Sequence, residues 1–412
     1  MDCRETVTTF LDFYREHGHE VPTDRTLLPP PGDDSVLFTT SGMHHLTPYL
    51  LGRPHPQGRR LGGVQRCLRT TDLEEIGDPT HLTVFEMLGS WSLGDYGPGQ
   101  SLRWGHRLLT EGFGLRPERL HVTVFGGDEQ VGPDLESLET WQDLGVPVEP
   151  LGADNWWSNG PTGPCGPDSE IFVWTGSDEP RGTPSTDPGW VEVWNHVMMR
   201  HDRLPDGSLV PLPQRCVDTG MGLERLLTVL QGKDSVYDTD VFEPWQRTVP
   251  GLWPLEPRRH RLVVDHLRSS MVVVGDGVRP SNTGRGYVLR RLLRRVLTVL
   301  WRGGLPPLDD LPLDLYVHTL DHFGQSPSRL QSQFQLQSQP QFQPQSQGSG
   351  GVSPEQVREV LLDEQRRFLE LLERGRRLLS RRPRGEVLDD RTLRFLHETH
   401  GLPPELVEVL SI

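Results

Sequence analysis

Hydrophobic and polar positions change their period twice along this chain. Residues 4–17 repeat apolar positions at helical spacing, with Val7, Phe10, Leu11 and Tyr14 on one face, which predicts an amphipathic helix. From about residue 35 to 245 the period shortens to that of strands. Short β-like runs, "SVLFTT", "HLTVFEML", "HVTVFGG", "SEIFVW" and "VEVWNHVMM", alternate with loops rich in Gly, Pro and Asp. A doubly wound parallel sheet needs regular helical crossovers, and the spacing reveals none, so the pattern predicts a mostly antiparallel sheet with inserted helices. A further strand-like run ends at Asp218. There "VDTGMGLERL" reads as a Gly-Met-Gly turn and then a helix opening on Glu224-Arg225.

From about residue 255 the period becomes helical. "GYVLRRLLRRVLTVL" sets Leu289, Leu292, Leu293 and Val296 on one face and Arg290, Arg291, Arg294 and Arg295 mostly on another. Residues 325–351, "QSPSRLQSQFQLQSQPQFQPQSQGSGG", are too poor in apolar side chains to order themselves and read as a flexible linker. Ser353-Pro354-Glu355 then starts a long helix, with Val357, Val360, Leu361, Phe368, Leu371 and Leu372 in helical period.

Composition narrows the class. The 412 residues allow two or three domains, and 44 glycines and 37 prolines require extensive loops. The net charge of −15 does not suggest a nucleic-acid binder overall, but between Glu256 and Arg302 eleven arginines face three acids. Such a stretch is either the solvated face of a packed helix or a phosphate-backbone contact. Nearly every basic residue is arginine, and Lys233 is the one lysine. Cys3, Cys67, Cys165 and Cys216 have no CxxC spacing, which predicts reduced thiols in a cytoplasmic protein. "MDCRETVTTF" lacks the apolar core of a signal peptide, and no run of about 18 apolar residues predicts a membrane span.

Several side chains suit one joint task. Arg69 follows a short strand in "QRCLRTTDLEE", and Arg225 opens a helix after glycines. Two planar guanidinium forks suit a polyphosphate. Asp218 offers a carboxylate to an ammonium group, and Trp157 and Phe85 offer flat surfaces. Together they could hold an amino acid and a nucleotide. "FLHETHG" is not HExxH, since His397 and His400 are three apart, so it reads as structural.

The joint pattern is more specific than its parts. "VDTGMGLERL" resembles motif 3 of a class II aminoacyl-tRNA synthetase, and "QRCLR" through "FEMLGSWSLGDYG" resembles motif 2. "LFTTSGM", "DNWW" with "TGPCGPDSEIF", "VEVWNHVMM" and "VVDHLRSSMVVVGDGVRPSNTGRGYVLRRLLRRVL" extend the likeness, in order, to the alanyl-tRNA synthetases. The resemblance implies an α+β fold: a class II antiparallel sheet with flanking helices, then a helical domain of the tRNA-recognition kind. It implies an adenylate-forming domain over 1–245 and a helical basic domain in two parts, 246–324 and 354–412, around the linker at 325–353. ATP, with Mg²⁺, would activate alanine to alanyl-adenylate, and the alanyl group would pass to the 3′ end of tRNA. Arg69 would hold the α-phosphate, and Arg225 and Phe85 would sandwich the adenine with Gly222 beside it. Asp218 would accept the α-ammonium, while Met87, Trp157, Val197 and Gly220 would wall a methyl-sized pocket with Asn195 near it. Asn282, Arg290, Arg291, Arg294 and Glu398 would meet tRNA. The Mg²⁺ ligands and the oligomeric state stay open.

The chain also departs from the family. Arg69 runs directly into "TTDLEE", where the family has a longer loop with Gly-Gly-Lys that meets ATP and the tRNA acceptor end. Pro161 stands for an aspartate, Asp168 for a cysteine, and Glu398 for the aspartate that reads a G·U pair alongside Asn282. The chain ends where the family's editing domain would begin, so no zinc is expected. A methyl-sized pocket separates alanine from glycine or serine by only about 1–3 kcal/mol. Two alternatives therefore remain: transfer of activated alanine to a small-molecule acceptor, and a non-catalytic tRNA-binding or regulatory paralogue.

Overall fold

The computed structural model describes residues 1–22, 26–30, 32–33, 35–71, 73–325, 352–380, 388–400, 402, 406–407 and 410. These fall into two compact units, one of residues 1–75 with 79–243 and one of residues 76–78 with 244–412.

The first unit opens with α1, Cys3–Glu16. Asp2 and Glu5 cap each other's backbone N–H reciprocally, which satisfies donors the first turn leaves unpaired. Its buried face is Thr6, Phe10, Leu11 and Tyr14. Thr6 takes the place expected of Val7, and its hydroxyl donates to the Asp2 carbonyl at 2.8 Å. A short helix α2, Thr47–Leu50, precedes strands β1, Arg60–Leu68, and β2, Val84–Ser92. Helix α3, Pro98–Arg107, leads to β3, Leu120–Phe125, and α4, Leu135–Asp143, to β4, Val148–Leu151. The unit continues with β5, Trp156–Ser158, β6, Gly163–Trp174, β7, Trp190–Arg203, and β8, Leu209–Gly222. Helix α5 follows over Leu223–Gln231.

The strands form one sheet of order β1-β2-β8-β7-β6-β3-β4, with β5 beside β6. Every pair is antiparallel except β3–β4, whose strands are parallel. That exception has its cause in α4, the crossover that joins the two. "SVLFTT" forms no strand. Leu37 is exposed beside buried Phe38, and the run is held by single links, Thr39 N–H to Leu27 O and Leu68 N–H to Thr39 O, each 2.8 Å. The "TGMG" stretch is not a turn either: β8 runs through Gly220 to Gly222. Helix α5 starts at the next residue, so Asp218 lies within the sheet rather than at its rim.

The second unit is helical. It contains most of α6, Glu243–Leu252, then α7, Pro257–Gly275, α8, Gly284–Arg302, α9, Leu313–His322, α10, Pro354–Leu379, and α11, Asp390–His400. Leu289, Leu292, Leu293 and Val296 of α8 are fully buried, so its apolar stripe is a core face. Ser353 and Gln356 form a capping box at the start of α10. The linker expected at 325–353 lies, from 326 to 351, outside the described residues. Cys67, Cys165 and Cys216 are buried, Cys3 is half-buried, and none of the four is in a disulfide. No described helix is long and apolar enough to cross a membrane.

Candidate active site

The sheet register assembles the site before any side chain is considered. Trp91 pairs with Asp218, Asp218 with Val197, and Val197 with Asp168. Two residues along, Gly89 pairs with Gly220, Gly220 with Asn195, and Asn195 with Glu170. Met87 pairs with Gly222 in the next row. Side chains two apart share a face, so residues remote in sequence form a grid across β2, β8, β7 and β6. A cavity of about 570 Å³ lies over it. Arg69, Phe85, Met87, Trp157, Asn195, Val197, Asp218, Gly220, Gly222 and Arg225 all line that cavity.

Glycine is required where the wall is closest. A Cβ on Gly220 would lie 2.7 Å from the Met87 sulfur. Gly42 and Gly89 act likewise on Trp91, whose Cζ2 would lie 2.6 and 2.3 Å from their added Cβ atoms. The indole so seated donates its Nε1–H to Asp218 Oδ1 at 2.6 Å. Asp218 is only 6% exposed. Burial pushes its carboxyl up to about 7, against the pull of the Trp91 hydrogen bond. It is a poorly solvated acid at the cavity wall, and an incoming cation would favour its charged form.

The arginines are held loosely by comparison. Arg69 donates its Nε–H to the Thr40 carbonyl at 3.3 Å and lies over the Phe85 ring, 5.2 Å from its centroid. Arg225, in the first turn of α5, pairs with Glu192 at 2.7 Å, and each side chain is 32% exposed. Glu192 reaches the cavity face through a β-bulge. Ile171 pairs with Trp194 but Phe172 with Glu192, which leaves Val193 as the extra residue. Glu170 also faces the cavity, and burial, then the charge of Glu192, raises its carboxyl above the usual range.

Four groups at this site escaped the sequence reading: Trp91, His44, Glu170 and Glu192. Trp91 alternates with Phe85, Met87 and Gly89 on β2, so strand register was a usable signal for it. His44 carried no signal. Its Nδ1 accepts from the backbone N–H of Thr40 at 3.1 Å and Ser41 at 3.3 Å, which assigns the ring proton to Nε2. Burial lowers its pKa, so the ring is a neutral donor on the cavity wall. Glu192 depends on a bulge that no spacing rule reveals.

The remaining named residues belong to the second unit. Asn282 is exposed ahead of α8, and its Oδ1 accepts from Arg290. Arg290 and Arg294 both reach the carboxylate of Glu364 on α10, at 3.2 and 2.9 Å, and Glu364 is 1% exposed. Arg291 is exposed. The side chain of Glu398, on α11, lies outside the described residues.

The sequence model of the tRNA synthetases class II (A) matches residues 5–305. An alanine–tRNA ligase from Borrelia hermsii is 35% identical over 435 residues, covering 100% of this chain and 69% of that protein. The chain belongs to the alanine–tRNA ligase family. Its antiparallel sheet and flanking helices are therefore those of a class II synthetase. The family member from Treponema pallidum is 47% identical over 307 residues, 69% of this chain and 50% of its own. The one from Rubrobacter xylanophilus is 37% identical over 438 residues, 100% of this chain and 47% of its own. The chain thus spans about half the length of these two family members.

Proposed function

We propose that this chain activates alanine with ATP and passes the alanyl group to the 3′ end of tRNA. An alanine carboxylate oxygen attacks the α-phosphorus, the bond to the β-phosphate oxygen breaks, and pyrophosphate leaves. The terminal ribose hydroxyl of tRNA then attacks the alanyl carbonyl and releases AMP. The observation that carries this is the meeting, at one cavity, of buried Asp218, the loosely held Arg69 and Arg225, and a close wall at Met87 and Gly220.

Asp218 takes the α-ammonium, because one of its oxygens is already fixed by Trp91. Arg69 leaves the Phe85 ring for the α-phosphate, where its fork meets the charge that develops there. Arg225 exchanges a half-exposed ion pair, worth little in itself, for the nucleotide, and Phe85 and Gly222 complete that surface. Met87, Trp157, Val197 and Gly220 leave room for a methyl group, and Asn195 borders them. Most of the rate comes from positioning and charge stabilisation.

The described residues contain no group of three or more His, Cys, Asp or Glu side chains that could hold a metal ion. That suits Mg²⁺, which commonly binds through one or two carboxylates together with substrate phosphates. Glu170 and Glu192, which both line the cavity and of which the second's charge raises the carboxyl of the first, fit that part. The ion would neutralise phosphate oxygens.

Asn282, Arg290, Arg291, Arg294 and Glu398 are the residues we assign to tRNA. A small-molecule acceptor is the second reading. It is favoured by Arg290 and Arg294, which already hold Glu364. The test of activation is amino-acid-dependent exchange of pyrophosphate into ATP across alanine, glycine and serine. Alanine should support the fastest exchange, with glycine and serine within about 10–200-fold. No exchange with any of them would refute the reading.

A further inference from the structure

Asp168 lies in the same sheet row as Val197 and Asp218 and has no role in the account so far. It is 2% exposed on β6. Its Oδ1 accepts from Asn155 Nδ2 at 2.9 Å and its Oδ2 from Asn195 Nδ2 at 3.3 Å. Asn155 also donates to the Thr123 hydroxyl at 2.9 Å. Asn155 sits two residues before Trp157, and Asn195 is itself a cavity residue. One carboxylate thus ties the segment that leads into β5, the strand of Trp157, to the strand that carries Asn195.

An ionised carboxylate can only accept hydrogen bonds. An amide that faces it must offer its NH₂ and turn its oxygen elsewhere. Asn195 Oδ1 is accordingly a buried acceptor without a hydrogen-bond partner. A buried polar group left unpaired is unfavourable until a ligand donor reaches it.

We propose that Asp168 is a positioning residue for the amino-acid site. By accepting from both Asn155 and Asn195, it fixes the Asn195 amide so that its carbonyl oxygen, not its NH₂, is left to accept from the α-ammonium beside Asp218. This rests on the alanine-activating reading above. Burial raises the Asp168 carboxyl to about 7, while the two amides pull it down, as they would for a carboxylate held by donors.

Asp168→Asn tests it. The isosteric amide places a donor where an acceptor stood, so Asn195 rotates and presents NH₂ to an ammonium that also donates. In alanine-dependent pyrophosphate exchange, the alanine KM rises about tenfold or more, with the ATP KM within twofold of the parent. Asp168→Ala, which removes both acceptors, produces the same split. The charge-conserving double substitution D168N/N195D restores an acceptor to the cavity and recovers most of the alanine KM. An unchanged alanine KM in both single variants, or equal rises for alanine and ATP, overturns the proposal.

If the parent protein exchanges with no amino acid, the functional reading fails and the orientation claim is judged separately. In ¹⁵N-asparagine-labelled protein, the Asn195 side-chain NH₂ signal is assigned by its loss in Asn195→Asp. It moves in Asp168→Asn if the amide is held as described, and an unmoved signal refutes that.

Discussion

At the scale of single residues, the account turns on groups whose charge the fold makes conditional. Asp218 titrates near 7 because it is buried, well above the ordinary 3.8 of its side chain. A carboxyl raised by folding contributes stability below its unfolded pKa, and that contribution is lost as pH rises through the folded value. Two results are expected. Asp218→Asn raises Tm at about pH 8 more than at about pH 5, measured by thermal unfolding. The alanine KM falls as pH rises from about 6 to 8, because the ammonium needs a carboxylate to bind; Asp168, raised into the same range, adds to that slope. A flat KM profile would detach Asp218 from the ammonium. Arg69→Ala should lower alanine-dependent exchange by about 10²–10³-fold, the effect of removing one preorganised donor to developing charge. Exchange at the parent rate would remove Arg69 from the site.

At the scale of elements, register does the work that motif spacing suggests. Phe85, Met87, Trp157, Asn195, Val197, Asp218 and Arg225 were nameable from sequence because each falls in a quoted stretch that resembles the family. Their convergence was not legible, since it follows from the β2-β8-β7-β6 neighbour order. The Gly-Met-Gly stretch was misread as a turn because glycine before a helix usually signals one. Here it is a strand whose missing Cβ at Gly220 admits the Met87 sulfur. Gly220→Ala should therefore raise the alanine KM and lower stability by about 1–3 kcal/mol, the usual effect of overpacking. Normal alanine kinetics in that variant would show the wall to be more compliant than its geometry. The bulge at Val193 and the parallel β3–β4 pair were also beyond periodicity, because both are set by partners distant in the chain.

At the scale of the whole molecule, a net charge of −15 coexists with an arginine-rich helical unit. Its apolar stripe was readable from the 3.6-residue period, whereas the pairing of Arg290 and Arg294 with Glu364 was not, since α10 follows a long low-complexity segment. Asn282→Ala should depress transfer to tRNA while leaving pyrophosphate exchange intact, and equal loss of both would argue against a tRNA-reading role for Asn282. The most direct measurement is incubation of the purified protein with ATP, Mg²⁺, labelled alanine and unfractionated tRNA, counting acid-precipitable label. The account predicts label on RNA that depends on ATP. Pyrophosphate exchange without label on RNA would contradict tRNA as the acceptor, and absence of both would contradict the active site itself.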